Sequence, residues 1–301
     1  MERFVILALV GLAAQLVDGS LGMGYGLTST TLLLSAGIAP AIASASVHMA
    51  EVVTTAASGV SHMRFGNVDK QMAKRLIIPG SIGAFSGATF LSHLTGDYVR
   101  LYVSIFLFAL GLYILARFLF LKDARKQEHK KLTNRFYLPL GFVAGFFDAS
   151  GGGGWGPIAT PALLSQKGVE ARKVIGTVSV SEFAVASSAT IGFMISLGVG
   201  NINWLWAGAI MLGGVIAAPI AAWIVKSLPT RILAVIVSGM LIFTNVRSIL
   251  SYTTIDHTIH NVIYTAIVII WIYIVFHVAQ KERKLKVETL ELSIEKSRET
   301  S

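Results

Sequence analysis

The chain has 301 residues, of which 54% are hydrophobic and 14% charged, with a net charge of +9 and no cysteine; its mean hydropathy is +0.69. This composition excludes an ordinary soluble domain, and the lack of cysteine excludes disulfides, thiolate metal sites and cysteine nucleophiles. Apolar stretches recur from end to end, several near the ~20 residues that span a bilayer, which predicts a polytopic membrane protein.

In chain order, the first apolar stretch, 4–17, is short of a bilayer span. A cleaved signal peptide is the competing reading, and a counterpart at 136–147, deep in the chain, argues against it. Glycines at Gly22, Gly24 and Gly26 then break the pattern before a second short stretch, 27–38. Two half-length helices joined by bare backbone read as a re-entrant hairpin or a broken pair. Irregular backbone is tolerated at membrane depth only where protein or a water-filled cavity satisfies it. Longer stretches follow at 41–62, 76–94 and 98–121, the second carrying Gly83 and Gly87 four residues apart, a spacing for close helix packing. A basic loop, 122–135, separates these from a second set: 136–147, the run Gly151-Gly152-Gly153-Gly154, a short stretch to Gln166, then 173–197, 204–225 and 232–252. A last stretch, 258–279, has no partner in the first half, and a charged tail runs from 280 to 301 as a helix or disordered extension.

The two sets align. At an offset of 130, Gly11 falls on Gly141, Asp18 on Asp148, Ser20 on Ser150, and Gly22, Gly24 and Gly26 on Gly152, Gly154 and Gly156. After one inserted residue His48 and Glu51 fall on Ser179 and Glu182, and after three more Gly66 falls on Gly200. Each unit has a hairpin and three spans, an odd number of crossings, so the second unit is inverted. Placing the 122–135 loop in the cytoplasm leaves only Arg3, Arg100 and Arg247 of 25 Lys and Arg outside. The positive charge is therefore a topology signal, not a nucleic-acid footprint. Inverted repeats with discontinuous helices point to a secondary transporter.

The expected fold is an all-α polytopic membrane protein of two inverted-topology repeats. Each is a Gly-tipped re-entrant helical hairpin plus three transmembrane helices, with one extra C-terminal transmembrane helix. The boundaries are 1–121, 122–135, 136–252, 253–279 and 280–301. The N-terminus is expected outside and the C-terminus in the cytoplasm.

The second half-helices should begin near Tyr25 and Trp155, their free N–H groups forming an anion site that glycines let a ligand approach. Candidate substrate-binding residues are Asp18, Gly19, Ser20, Gly22, Gly24 and Gly26 in the first hairpin. In the second they are Asp148, Ser150, Gly151, Gly152, Gly153, Gly154, Trp155 and Gly156. Thr28, Thr30 and Thr160 lie nearby, and Trp155 reads either as a lid on the substrate path or as filling. The competing account is that the glycines serve helix packing alone. Asp18, Glu51, Asp148 and Glu182 are the acids inside apolar stretches, where ionisable groups are functional hypotheses by default. Asp18 and Asp148 read equally as caps for their own loops. Glu51 and Glu182, with His48 one turn before Glu51, are the proton-coupling candidates. His257 and His260 with Asp256 do not make a convincing metal site, no metal or other cofactor is expected, and no enzymatic dyad is visible. Arg247 reads as an anion attractor or a snorkelling side chain.

The doubled pattern Asp18-Gly-Ser-Leu-Gly-Met-Gly-Tyr-Gly and Phe147-Asp-Ala-Ser-Gly-Gly-Gly-Gly-Trp-Gly-Pro, with the Glu51 and Glu182 segments, resembles the TauE/SafE family of bacterial anion permeases over about Val10 to Leu250. The resemblance implies proton-linked movement of small sulfur-containing anions, such as sulfite or organosulfonates, across the bacterial inner membrane. The expected partners are that anion, protons and the lipid bilayer, with no nucleic acid; a homodimer is compatible with the pattern. Leu27 stands where the second motif has Pro157, so the first break is expected to be less sharp. The alternatives are a divalent-cation permease using the buried carboxylates and an intramembrane enzyme.

Overall fold

The computed structural model describes residues 2–21, 24–94, 98–120, 133–164, 171–201, 204–224, 230–254 and 256–299. Among them every regular element is a helix: α1 (Glu2–Leu21), α2 (Tyr25–Ser35), α3 (Pro40–Arg64), α4 (Lys70–His93), α5 (Tyr98–Phe120), α6 (Asn134–Gly151), α7 (Trp155–Leu164), α8 (Ala171–Leu197), a 3-10 turn (Val199–Asn201), α9 (Trp204–Ile224), α10 (Thr230–Leu250) and α11 (His257–Glu299). The basic loop lies almost wholly outside the described residues. The charged tail continues α11 as helix.

Among the described residues three helices are long and apolar enough to cross a membrane: Tyr98–Phe120, Lys173–Leu197 and His257–Lys284. The stretches Phe4–Leu16, Trp204–Ala217 and Ala234–Leu250 are apolar but shorter. At 25 residues α3 has the length, but it carries Ser44, Ser46, His48, Glu51 and Thr55, all buried in the protein. Its polarity faces inward, so mean hydropathy understates its fit to an apolar interior. By contrast α11 lays Ile259, Val262, Ile269, Ile270, Ile272, Tyr273 and Phe276 on the surface, and its apolar stretch is hardly buried. An exposed apolar belt of this extent suits lipid rather than water.

Small residues set the packing. α4 packs closely on α6 and α8, α1 on α9, α3 on α8 and α5 on α10. A Cβ at Gly83 would collide with the Phe142 carbonyl and one at Gly87 with the Phe146 carbonyl, so this pair brings α4 onto α6 as its spacing predicts. Gly11 meets the Ile210 carbonyl in the same way where α1 crosses α9, and Gly141 meets Pro79 and Leu76 where α6 crosses α4.

Candidate functional site

Both glycine runs break a helix and start another. α6 ends at Gly151, and Gly152 takes the left-handed conformation (φ 76°) that caps it, its N–H bonded to the Asp148 carbonyl. Gly153 follows at φ 138°, and α7 begins at Trp155. Pro157 falls in the first turn of α7, where a missing N–H is harmless. In the first half α1 runs to Leu21 and α2 begins at Tyr25 with Gly24 (φ 120°) at its N-cap. Leu27 in place of Pro157 does not prevent the restart. α1 is six residues longer than the 14 expected, because it starts at Glu2 and continues through Asp18, Gly19 and Ser20 to Leu21.

The two tips touch. A Cβ on Gly26 would stand 2.7 Å from Gly153 Cα and 3.0 Å from Glu51 Oε1. One on Gly153 would stand 2.5 Å from the Gly26 carbonyl carbon. Thr30 of α2 donates to the Gly152 carbonyl, and Gly151 packs on the Phe106 ring. No side chain fits between these backbones.

Both aspartates are caps. Asp148 Oδ1 accepts from Gly154 N–H at 2.7 Å and from Trp155 N–H at 2.9 Å. Asp18 Oδ1 accepts from Tyr25 N–H at 3.3 Å. Each carboxylate thus sits on the positive end of the half-helix that follows it. Asp148 does more than cap, because its second oxygen, Oδ2, lies 3.2 Å from His48 Nε2 on α3. Glu51 Oε2 lies 3.9 Å from the same nitrogen, buried without a hydrogen-bond partner. His48 Nδ1 is 2.8 Å from the Ser44 carbonyl, and a carbonyl only accepts, so Nδ1 carries hydrogen. The Ser44 hydroxyl is directed to the Ala149 carbonyl at 2.7 Å, tying α3 to the second tip. The Nε2···Oδ2 contact is then a hydrogen bond where a proton lies on that line, as imidazolium facing carboxylate or imidazole facing carboxylic acid.

One ligand atom from each of His48, Glu51 and Asp148 lies within 4.8 Å of the others, close enough for a small cation. The 3.2 Å spacing of His48 and Asp148 is that of groups bonded to each other, and Asp148 Oδ1 is committed to α7. The set is a hydrogen-bonded His–Asp pair with a carboxyl behind it. Glu182 is half-buried on α8, and both Glu51 and Glu182 lie close enough to Asp18 and Asp148 to feel their charge.

Other predicted residues have plainer places. Ser150 Oγ donates back to the Phe146 carbonyl at 2.7 Å, with Tyr102 Oη 3.4 Å away. Trp155 is fully buried, its Nε1 donating to the Val178 carbonyl at 3.1 Å and its ring pressed on Gly80; it fills space. Gly22 and the side chain of Ser20 lie outside the described residues. Thr28 and Thr160 are buried with unpartnered hydroxyls, and Ser29, which the sequence did not single out, joins them. Ser44 was also missed; its only signal was its place one turn before His48. Arg247 is exposed. Asp256 caps α11 through Thr258 N–H at 2.7 Å, and its hydrogen bonds with Thr258 hold its carboxyl below the usual carboxylate range.

The family described as "Sulfite exporter TauE/SafE" matches residues 7–248. "Probable membrane transporter protein YtnM" of Bacillus subtilis (strain 168) is 56% identical over 282 residues, covering 93% of this chain and 94% of that protein. "Probable membrane transporter protein YunE" of the same strain is 24% identical over 265 residues, 79% of this chain and 94% of its own length. No solved structure matches the chain. These names describe transporters rather than enzymes, in keeping with the apolar helices. With the match running through both glycine tips and the His48–Asp148 pair, the chain is a multi-pass membrane transporter and belongs to the TauE/SafE sulfite exporter family.

Proposed function

We propose that the protein is a secondary transporter that carries a small sulfur-containing anion, sulfite or an organosulfonate, at the meeting point of its two glycine tips. The observation that carries this reading is the Asp148 carboxylate on the first N–H groups of α7. That position already accommodates an oxyanion. The anion would be held by backbone N–H groups from Gly154 to Gly156 and around Tyr25 and Gly26, entering as the tips part. In this reading Gly19, Ser20, Gly22 and Gly24 of the first motif would also contribute to the site, and Ser150 contributes after turning from the Phe146 carbonyl. His48, Glu51 and Glu182 link the movement to protons.

An inverted-repeat architecture is supported by matched packing. Gly80 receives Trp155 and Val185, and Gly214 receives Tyr25 and Thr54; these triples correspond under the sequence alignment. The pairing of α4 with α6 has its counterpart in α9 with α1, and that of α4 with α8 in α9 with α3. At 11 and 10 residues, α2 and α7 are about 15 Å long, half a hydrocarbon core, which fits re-entrant hairpins. Lys173 Nζ donates to the Gly66 carbonyl at 2.7 Å, and Arg231 pairs with Glu282 at 3.5 Å. Both contacts join segments assigned to the cytoplasm, with the N-terminus outside the cell membrane. Arg100 donates to the Leu34 carbonyl at 2.6 Å, joining two segments assigned outside.

Radiolabelled sulfite flux in proteoliposomes, with and without an imposed pH gradient, tests the proposal. Saturable flux that responds to the gradient supports it. Flux of divalent cations with no flux of any sulfur anion, from protein shown to be folded and inserted, defeats it.

A further inference from the structure

The proposed anion and the Asp148 carboxylate want the same donors. Oδ1 already takes Gly154 N–H at 2.7 Å and Trp155 N–H at 2.9 Å. An anion can take them only if Asp148 withdraws. A withdrawn carboxylate, beside a bound anion and buried at 2% exposure, would leave two negative charges together without the donors that stabilised one of them. A proton on Asp148 removes that conflict. His48 Nε2 stands 3.2 Å from Oδ2, placed to deliver it.

Resting on the anion-site reading above, we infer that Asp148 is a tethered stand-in for the substrate, displaced and protonated each time an anion binds, so that anion and proton load together. The charge count is as follows. Without anion, the His48–Asp148 pair holds one proton on the Nε2···Oδ2 line in addition to that on Nδ1, and is neutral overall. With a monoanion bound, a second proton taken from water leaves His48 as imidazolium and Asp148 as carboxylic acid. The loaded site is again neutral. Binding is therefore linked to uptake of one proton, and the coupling is symport rather than exchange.

The groups facing Asp148 are consistent with this role. α3 supplies His48 and Glu51 and α8 supplies Glu182, while Asp18 of α1 and Tyr25 of α2 stand behind them beside Glu51. His48 is the one base in this set, and Glu51 Oε2, buried and unpartnered, stands next in line to receive its proton. The device is one-sided. Asp18 caps α2 in the corresponding way, but Ser179 occupies the place that corresponds to His48 and bonds Ser58 at 2.9 Å. The first tip thus has the stand-in without the proton donor.

The test is isothermal titration calorimetry on the purified full chain, using methanesulfonate and isethionate, which stay monoanions at all working pH values. Sulfite is titrated at matched pH. Repeating each titration in buffers of different ionisation enthalpy counts protons. The expected result is uptake of about one proton per sulfonate, with affinity falling about tenfold per pH unit over the linked range, because the bound state holds the extra proton. The double variant Asp148→Asn/His48→Gln keeps an amide oxygen to accept from the α7 N–H groups but has neither group that takes the proton, and should bind with no proton uptake and little pH dependence. Sulfonate binding by wild type with no proton change, or with release, overturns this inference and leaves the anion site standing. Failure of folded wild type to bind sulfonates or sulfite overturns the anion site itself.

Discussion

Gly153→Ala probes the contact between the tips. The added Cβ would lie 2.5 Å from the Gly26 carbonyl carbon and 2.9 Å from Gly26 Cα, and closer still to Leu27 N. These are backbone atoms, so no rotamer relieves the overlap. The φ of 138° is a region that L-residues avoid at about 1–3 kcal/mol. Forcing a methyl into packed backbone adds about 1–3 kcal/mol. Together the penalty is about 2–6 kcal/mol, relieved only if the tips separate. Gly208→Ala is the control: nothing lies within 4 Å of a Cβ there, and alanine should favour the α9 helix by about 1 kcal/mol. Unfolding in detergent, followed by tryptophan fluorescence against denaturant, measures both. Gly153→Ala should unfold well before wild type and Gly208→Ala at or after it. If both variants match wild type, the tips do not meet through Gly153.

The other predictions concern packing and topology. Gly80→Ala places a Cβ 2.7 Å from the Trp155 ring and should destabilise by about 1–3 kcal/mol. The double variant with Trp155→Phe should lose less than the sum of the two singles, a coupling of about 0.5–3 kcal/mol in the same unfolding assay. Gly214→Ala, which meets only the end of Tyr25 and a Thr54 methyl at 3.0–3.3 Å, should be milder. Because the chain has no cysteine, single-cysteine labelling gives a clean topology. Lys126→Cys should react with an impermeant maleimide only after the membrane is opened, and His257→Cys in intact cells. The opposite pattern would invert the orientation.

The backbone breaks were legible because a glycine run inside apolar sequence has few other uses. The helix restarts at Tyr25 and Trp155 came from the motifs themselves. Other features depend on tertiary contacts. His48 and Asp148 are 100 residues apart, and no spacing rule connects them; only the packing of α3 against the second tip does. That contact gives Asp148 a second partner, His48, besides the α7 N–H groups that it caps. The extent of α1 was missed because Asp18, Gly19 and Ser20 look like a break, while the helix tolerates them until Leu21. Ser150 looked like a ligand donor, yet its bond to Phe146 four residues back is a rotamer choice that sequence does not encode. Trp155 was ambiguous until Gly80 supplied the slot that holds its ring. The inward polarity of α3 belongs to the same class: its Ser, His and Glu residues lower the hydropathy of a helix buried from Ala43 to Glu51.

The measurement that tests the central claim most directly is substrate protection of a single cysteine at the second tip. Ser150→Cys is the sole thiol in the chain, beside the Asp148 cap. Its rate of alkylation by N-ethylmaleimide in proteoliposomes is followed as isethionate is raised. The account predicts that the anion slows labelling saturably, at the concentrations that half-saturate flux, and does so more strongly at low pH than at high pH. A labelling rate indifferent to the anion, in a variant that still transports it, would contradict the account and place the substrate elsewhere.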